Sequence, residues 1–309
     1  MCGIYFFTKN SEINIETIKK SMDHRGPDFH GQVDLSHSIL GHNLLSIRDN
    51  VDFSKQPIRT KNGNFVIAFN GEIYNTKYLK SKFEINSESE SDTEILCKLI
   101  DKIGLEFIEH IKGMFAIIIY EKNTNSIHAY RDKSGQKILY YLENHKNFIL
   151  TSEIHVVLES KKFKKTVDYN SVHEACLIGY NPNENTIFSN IRKLLPGEKL
   201  TYNISNNQIS KSQFIQKKND FNGANIYESV DETIKNHLLT KSKIAINISG
   251  GLDSNIILHH SLKYKPDIDL FCTFFENAPD EYNHDFKIAT KISELYGLKI
   301  IKTNITEND

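Results

Sequence analysis

The chain has 309 residues, 39% of them hydrophobic, which is enough for two domains with substantial cores. Its formal net charge of -1 gives no electrostatic reason to expect nucleic acid or an anionic membrane as a partner. The sequence contains no apolar stretch approaching the roughly 20 residues that span a bilayer, and its start lacks the pattern of a secretory signal. We therefore expect a cytoplasmic protein with no nucleic-acid and no membrane partner.

The amino terminus reads Met1-Cys2-Gly3-Ile4. Removal of Met1 would leave a thiol and an α-amine on one residue, and an amine with an ordinary pKa of about 7.7 to 8.0 is a suitable base for the thiol. The apolar run that follows Cys2 predicts a buried strand that fixes the terminus. The alternative is an ordinary start followed by a core cysteine. The remaining cysteines lack the close spacing of a zinc site or disulfide framework and are expected to be reduced thiols: Cys97, Cys176 and Cys272.

The first 200 residues or so predict an α+β domain of short strands with a few helices. Helical patterns cover residues 15–23, 77–83 and 93–111. Apolar runs at 114–120, 127–130 and 138–141 predict successive antiparallel strands. The polar stretch 202–223 has little periodicity, so we interpret it as the junction between a domain at 1–205 and a domain at 206–309.

Beyond the junction a helix pattern begins at Asn225, and strands then alternate with helices. The strands are predicted at 244–248, 270–274 and 299–303, and the helices at 254–262 and 282–296. Such alternation predicts a parallel sheet with crossover helices.

The loop between the first of these strands and its helix reads S-G-G-L-D-S, from Ser249 to Ser254. Glycines and the free N–H groups of a helix start favour phosphate binding, and Asp253 is a suitable Mg²⁺ ligand. A plain glycine turn is the alternative. The loop lacks the spacing and the lysine of a Walker A motif, and it resembles the pyrophosphate loop of ATP pyrophosphatases.

Motifs along nearly the whole chain resemble those of one family. They are M-C-G-I at the start, H-R-G-P-D at 24–28, F-N-G-E-I-Y-N at 69–75, S-D-T-E at 91–94, G-M-F-A at 113–116, R-D-K-S-G-Q-K at 131–137, S-E-I at 152–154, L-P-G-E at 195–198 and S-G-G-L-D-S at 249–254. In this order they resemble the asparagine synthase family. The resemblance implies an N-terminal nucleophile hydrolase sandwich with α/β/β/α layers, the class II glutamine amidotransferase domain. It also implies that the start of an α/β parallel-sheet ATP-pyrophosphatase domain follows.

The resemblance also implies residue roles. Cys2 would attack the side-chain amide of glutamine, and Asn70 with the Gly71 N–H would form the oxyanion hole. Glu72 and Asp92 would hold the glutamine α-ammonium. The ATP site would comprise Ile248, Ser249, Gly250, Gly251, Asp253, Ser254 and Thr273, with Asp253 also as the metal residue.

Simpler interpretations exist for several of these residues. Asn70-Gly71 is a common hairpin-turn signal, and the segment 91–94 fits a helix-capping pattern. His24 and Arg25 are interpreted as loop-packing groups rather than catalysts.

The sequence departs from the family at Leu44, where the family carries an arginine that grips the glutamine α-carboxylate. A leucine cannot make that bidentate contact. Arg48 is the candidate replacement, but it lies roughly 13 Å further along an extended strand, so it can serve only if the backbone bends.

The sequence ends at Asp309, before the positions where the family carries its aspartate-binding and adenylation residues. We therefore expect a truncated or split homologue with an incomplete synthetase half. Three strands and two helices bury little surface, so this half is expected to be marginally stable or to need a partner. That partner is a second copy in a homodimer or a separate chain that completes the domain.

The function predicted from the resemblance is that of a ligase of amino-acid biosynthesis, an asparagine synthase type amidotransferase. Glutamine is hydrolysed, and the ammonia passes through an internal tunnel to an amidation of aspartate that requires ATP and Mg²⁺. The alternatives are amidation of another carboxylate, such as one on a surface sugar, and a non-catalytic regulatory or scaffold homologue. A fragment of a longer reading frame is a further possibility.

Overall fold

The computed structural model describes residues 1–47, 51–142, 147–214, 225–240 and 242–306. The chain divides into two compact units, Met1–Lys218 and Asn219–Asp309. Among the described residues, no helix is both long enough and apolar enough to cross a bilayer.

The first unit contains most of the strands. Its strands are β1 (Gly3–Thr8), β2 (Phe29–Asp34), β3 (Ser38–Leu44), β4 (Ile58–Arg59), β5 (Phe65–Ile73), β6 (Gly113–Glu121), β7 (Ser126–Arg131), β8 (Tyr140–Leu142), β9 (Ile149–Thr151), β10 (Ile191–Lys193), β11 (Glu198–Asn203) and β12 (Gln208–Gln213). Its helices are α1 (Ile15–Ser21), α2 (Val51–Ser54), α3 (Thr76–Lys82), α4 (Asp92–Ile103), α5 (Ile154–Leu158) and α6 (Tyr169–Ile178).

The strands of the first unit form two antiparallel sheets, in the orders β10-β8-β9-β1-β3-β2 and β12-β11-β7-β6-β5-β4. Successive side chains of a strand point to opposite faces. Ile4 and Phe6 of β1 therefore pack against the second sheet, whereas Tyr5 and Phe7 pack against α1 and α5. On the far side, α4 covers β5 and β6. These layers are the predicted α/β/β/α sandwich, and that prediction is confirmed.

Two local predictions in the first unit are wrong. The helix predicted over 93–111 ends at Ile103, because Gly104 adopts a left-handed φ of 61° and a 3₁₀ segment follows at Gly104–Glu109. The strand predicted near 138–141 is β8, which pairs with β9 and β10 in the other sheet instead of with β7. The turn after β7 carries the chain from one sheet to the other.

The polar stretch interpreted as the domain junction contains ordered structure. β12 pairs with β11 along its whole length, from Glu198 opposite Gln213 to Asn203 opposite Gln208. The first unit therefore includes β12, past the predicted boundary at residue 205.

The second unit is an α/β layer built on a short sheet. Its elements are α7 (Ile226–His237), β13 (Ile244–Asn247), α8 (Leu252–Ser261), β14 (Ile268–Phe275), α9 (His284–Leu295) and β15 (Ile300–Ile305). The described strands are parallel in the order β13-β14-β15, which confirms the predicted parallel sheet. The carboxyl ends of β13 and β14 lie at the same edge, where the loop at 248–251 begins.

Candidate active site

The position of Cys2 is fixed by the strand that follows it. β1 is buried over its whole length and lies between β3 and β9. The Cys2 Sγ accepts a hydrogen bond from the Leu45 N–H at 3.4 Å, and the thiol donates to the Leu45 carbonyl at 3.6 Å. Because Leu45 directly follows β3, the pairing of β1 with β3 sets the position of the thiol.

Arg25 fixes the backbone of the same residue. Its Nε donates to the Cys2 carbonyl oxygen at 2.9 Å, and its Nη1 donates to Glu153 Oε1 at 2.6 Å. The interpretation of Arg25 as a loop-packing group overlooked this contact, and Glu153 was not singled out at all. The signal in the sequence was the opposite charge of these two residues, each of which lies in a motif that carries the family resemblance.

The protonation chemistry at the terminus favours an amine base. Burial raises the pKa of the Cys2 thiol, and the carboxylates of Asp92 and Glu72 raise it further, against the lowering effect of the Leu45 N–H. Burial lowers the pKa of the Met1 α-amine, and the cations of Arg25 and Lys137 lower it further, whereas the charge of Cys2 raises it. The thiol therefore needs a base, and the surroundings of the terminus lower the pKa of an amine placed there.

Asn70 and Gly71 lie inside β5, opposite Ala116 and Phe115 of β6, so they do not form a hairpin turn. Gly71 has a φ of 155°, and a Cβ there would lie 2.0 Å from the Met114 carbonyl oxygen, so only glycine fits. The Asn70 side chain is 1% exposed, and its Nδ2 has no hydrogen-bond partner in the described part of the chain. An unsatisfied buried donor costs about 1 to 3 kcal/mol, which a ligand that accepts its hydrogen bond would offset.

Asp92 is tied to the end of β5. Its Oδ2 accepts a hydrogen bond from the Ile73 N–H at 3.0 Å, so the start of α4 lies beside Glu72. Ser91 makes no capping hydrogen bond with its side chain, which argues against the simple helix-capping interpretation. The charges of Glu72 and Asp92 act on the Cys2 thiol and raise its pKa.

Leu44, where the sequence departs from the family, is buried. Leu44 is 2% exposed and is the last residue of β3, so the strand does not continue as far as the extended segment considered for Arg48. Arg48 itself lies outside the described residues.

The predicted ATP residues lie around the carboxyl edge of the second unit's sheet. The Ile248 N–H donates to the Phe271 carbonyl at 2.8 Å and continues the sheet pairing for one residue beyond β13. Two serine hydroxyls, Ser249 and Ser254, lie 3.1 Å apart at the start of α8, and the Ser249 Oγ accepts the Gly251 N–H at 3.2 Å. Thr273 is exposed near the end of β14.

This loop has the donors that an anion requires. The Gly250 N–H donates to Asp285 Oδ1 at 3.2 Å, so a carboxylate oxygen already occupies a position suited to a phosphate oxygen. A Cβ at Gly250 would lie 2.8 Å from that oxygen. The described residues contain no group of three His, Cys, Asp or Glu side chains that could hold a metal ion. Mg²⁺ bound through substrate phosphates needs only one or two carboxylates, and Asp253 in the first turn of α8 fits that requirement.

Comparisons with known proteins agree with this division. Residues 1–215 match the family described as glutamine amidotransferase domain, and residues 225–309 match the family described as asparagine synthase. A putative glutamine-hydrolysing asparagine synthetase of Methanocaldococcus jannaschii is 28% identical over 91% of this chain and 61% of its own length. Asparagine synthetase 3 of Bacillus subtilis is 25% identical over 100% of this chain and 55% of its own length.

A solved structure described as the allosteric regulatory enzyme of purine biosynthesis has the same fold. It matches with a TM-score of 0.50 at 14% identity and covers 98% of this chain and 80% of its own.

The first unit is a glutamine amidotransferase domain with the fold of the N-terminal nucleophile hydrolases. The chain belongs to the family of glutamine-hydrolysing asparagine synthases. It spans about half the length of the curated relatives it matches.

Proposed function

We propose that the chain is a glutamine-dependent amidotransferase that hydrolyses glutamine at Cys2 and supplies ammonia for an ATP-dependent amidation of aspartate. The observation that carries the proposal is the buried Nδ2 of Asn70, which has no partner in the described chain. It lies on the strand that carries Glu72, whose carboxylate acts on the Cys2 thiol. Because most buried side-chain donors have a partner, this open donor is suited to an acceptor atom of the substrate.

The chemistry follows from these positions once Met1 is removed. The α-amine takes the thiol proton, and Sγ attacks the amide carbon of glutamine. Asn70 Nδ2 and the Gly71 N–H donate to the oxyanion that forms, a contribution worth about 10² to 10³ in rate per donor. The carbon–nitrogen bond breaks, the amine returns its proton to the leaving nitrogen, and ammonia departs. Water then hydrolyses the thioester to glutamate and restores the thiol.

The substrate would be held at its other end by carboxylates. Glu72 and Asp92 are proposed to pair with the glutamine α-ammonium, a charge-assisted contact suited to two acidic side chains. Arg48 remains the proposed partner of the α-carboxylate, because Leu44 cannot fill that role.

The second unit is proposed to hold ATP at residues 248–254, with Thr273 nearby and Asp253 bound to Mg²⁺. The hydroxyls of Ser249 and Ser254 and the amino terminus of α8 support this assignment. A phosphate oxygen would have to displace Asp285 from the Gly250 N–H. Aspartate is proposed as the acceptor because the relatives are named asparagine synthetases. We further propose a second copy or another chain as a partner of this unit and the cytoplasm as the place of the reaction.

The test is glutamate release from glutamine by purified protein whose loss of Met1 is confirmed by intact mass. We expect release from the native chain, none from Cys2→Ala, and unchanged release from Cys176→Ala, because Cys176 is exposed and remote in the sequence from the nucleophile. Glutamine binding without release by the correctly processed native chain would instead favour a regulatory role.

A further inference from the structure

Lys137 is a buried lysine at the end of a turn that the proposed chemistry does not use. Lys137 is only 8% exposed. The turn is organised by Asp132, which is fully buried. The carboxylate of Asp132 accepts hydrogen bonds from the backbone N–H groups of Ser134, Gln136 and Lys137 at 3.1, 3.0 and 2.9 Å.

The neighbouring arginine closes the same turn. Arg131 donates through Nη2 to the Gly135 carbonyl and through Nη1 to the Leu194 carbonyl, both at 2.6 Å. The motif R-D-K-S-G-Q-K is therefore a turn held by side-chain hydrogen bonds, and its last residue is Lys137. Arg131 and Asp132 are explained by the turn itself, whereas the Lys137 ammonium is not.

The hydrogen-bond partner of the Lys137 ammonium is a weak acceptor. Its Nζ donates to the thioether sulfur of Met1 at 3.2 Å and makes no other hydrogen bond within the described ranges. A thioether is a weak acceptor, and buried lysines are ordinarily paired with stronger ones. Removal of Met1, on which the proposed function depends, takes away even this contact and leaves the ammonium next to the new terminus.

The ionisable groups around the terminus include both signs of charge. Those whose charge acts on the terminus or on Lys137 are Arg25, Asp28, Glu72, Asp92, Asp132 and Lys137. Arg25 already donates to the Cys2 carbonyl and to Glu153. Burial lowers the pKa of Lys137, and Arg25 lowers it further, while Glu72, Asp132 and the Cys2 thiol raise it.

We infer that Lys137 is a positioning residue whose ammonium, in the mature chain, favours the thiolate of Cys2 and the neutral form of its α-amine. A fixed cation stabilises a nearby anion and opposes a second cation. The first effect favours the thiolate that attacks, and the second keeps the α-amine unprotonated until it takes the thiol proton. The carboxylates of Glu72 and Asp92 raise the pKa of the Cys2 thiol, so the inferred effect of Lys137 opposes theirs. The charge coupling between the two residues is seen on Lys137, whose pKa Cys2 raises. This inference rests on the proposed function, because it assigns Lys137 to the same site.

The test measures how fast iodoacetamide alkylates Cys2 in the mature protein as a function of pH, read by peptide mass mapping. The variants are Lys137→Met, which removes the charge, and Lys137→Arg, which keeps it. Lys199→Met is the matched control, because Lys199 is a half-buried lysine that lies 5.5 Å from the Tyr130 ring centre. Exposed Cys176 is an internal reference, and buried Cys97 reports unfolding if it becomes reactive.

We expect the pH midpoint for Cys2 alkylation to rise by about one unit in Lys137→Met. It should stay at the native value in Lys137→Arg and Lys199→Met, and the Cys176 profile should not change. If Cys97 reacts in Lys137→Met, the polar variant Lys137→Gln takes its place. An unchanged Cys2 midpoint in the folded, uncharged variant overturns the inference.

The alkylation needs no glutamine, so the two proposals can fail separately. A shifted midpoint in a chain that releases no glutamate would keep the role of Lys137 and defeat the proposed hydrolysis. Glutamate release with an unshifted midpoint would support the proposed hydrolysis and overturn the role of Lys137.

Discussion

The first unit encloses its apolar side chains far more completely than the second. In the first unit three clusters of buried side chains lie on the two outer faces and between the sheets. In the second unit the described core is one small cluster around Ile246, Leu258 and Leu270. Large apolar side chains there face solvent, including Ile226 at 82%, Leu252 at 74% and Leu295 at 79% exposed.

The two cores differ in how much costly polar burial they can compensate for. The large core of the first unit compensates for costly polar burial, such as the unpartnered Asn70 amide and the fully buried His42 ring. In the second unit α7, α8 and β13 instead line an open apolar groove that includes Val230, Ile234 and Ile257. The second unit therefore buries less of its apolar surface than the first.

Removing one buried leucine from each unit gives the largest expected effect. Leu270 and Leu200 are both fully buried, one in each unit. A Leu→Ala change in a core costs about 2 to 5 kcal/mol, which is most of the stability of a domain as small as the second unit. Leu270→Ala should unfold the second unit and leave glutamate release intact. Leu200→Ala should lower the melting temperature of the first unit without unfolding it at 25 °C.

Limited proteolysis with mass mapping, followed by the glutamate assay on the same sample, measures both outcomes. Rapid cleavage confined to residues 225–309 is expected for Leu270→Ala. Loss of glutamate release in that variant would mean that the activity of the first unit depends on a folded second unit.

His42 gives the first unit a sensitivity to acid. Its Nε2–H donates to the Phe69 carbonyl at 3.2 Å, and burial lowers its pKa to about 3. Because the unfolded chain binds this proton near pH 6.5 and the folded chain does not, stability is fully present above pH 6.5. It then falls by about 1.4 kcal/mol per pH unit until about pH 3.

Denaturant titrations at pH 7, 6 and 5 measure this slope for the first unit's transition. His42→Gln should flatten the slope, although the substitution itself lowers stability at pH 7. His173→Gln, at an exposed position of α6, should leave the slope unchanged. A slope that survives in His42→Gln would assign the acid sensitivity to other groups.

The hydrophobic periodicity of the sequence predicted the strands and helices that depend on residues close together in the chain. The buried strand after Cys2, the helix that begins after Asn225 and the parallel sheet of the second unit all follow from local patterns, and the structure has each of them. The placement of β8 in the other sheet did not follow, because strand pairing depends on contacts with β9 and β10 that a local pattern does not encode.

The site was predictable in part for the same reason. The resemblance named Cys2, Glu72 and Asp92, and the charges of both carboxylates act on the Cys2 thiol. Their roles at the site stay predictions. The contact of Arg25 with Glu153 joins residues 128 positions apart and needed the structure. The role inferred for Lys137 likewise depends on its burial against Met1.

The smallest effect comes from two helix caps with matching chemistry, one in each unit. Asp168 Oδ1 accepts the Asn170 and Ser171 N–H groups at 3.1 and 3.2 Å at the start of α6. Asn225 Oδ1 accepts the Tyr227 N–H at 3.0 Å at the start of α7. Replacing either residue by alanine should cost about 1 kcal/mol.

The same loss of free energy should shift the two melting transitions by different amounts, because the entropy of unfolding grows with domain size. By calorimetry, Asn225→Ala should lower the second unit's midpoint by about 4 to 8 °C, and Asp168→Ala the first unit's by about 2 to 4 °C. Asn225→Asp and Asp168→Asn keep the capping oxygen and should shift neither. Equal shifts in a single transition would show that the units unfold as one cooperative body, and the contrast in their cores would then not be a contrast in stability.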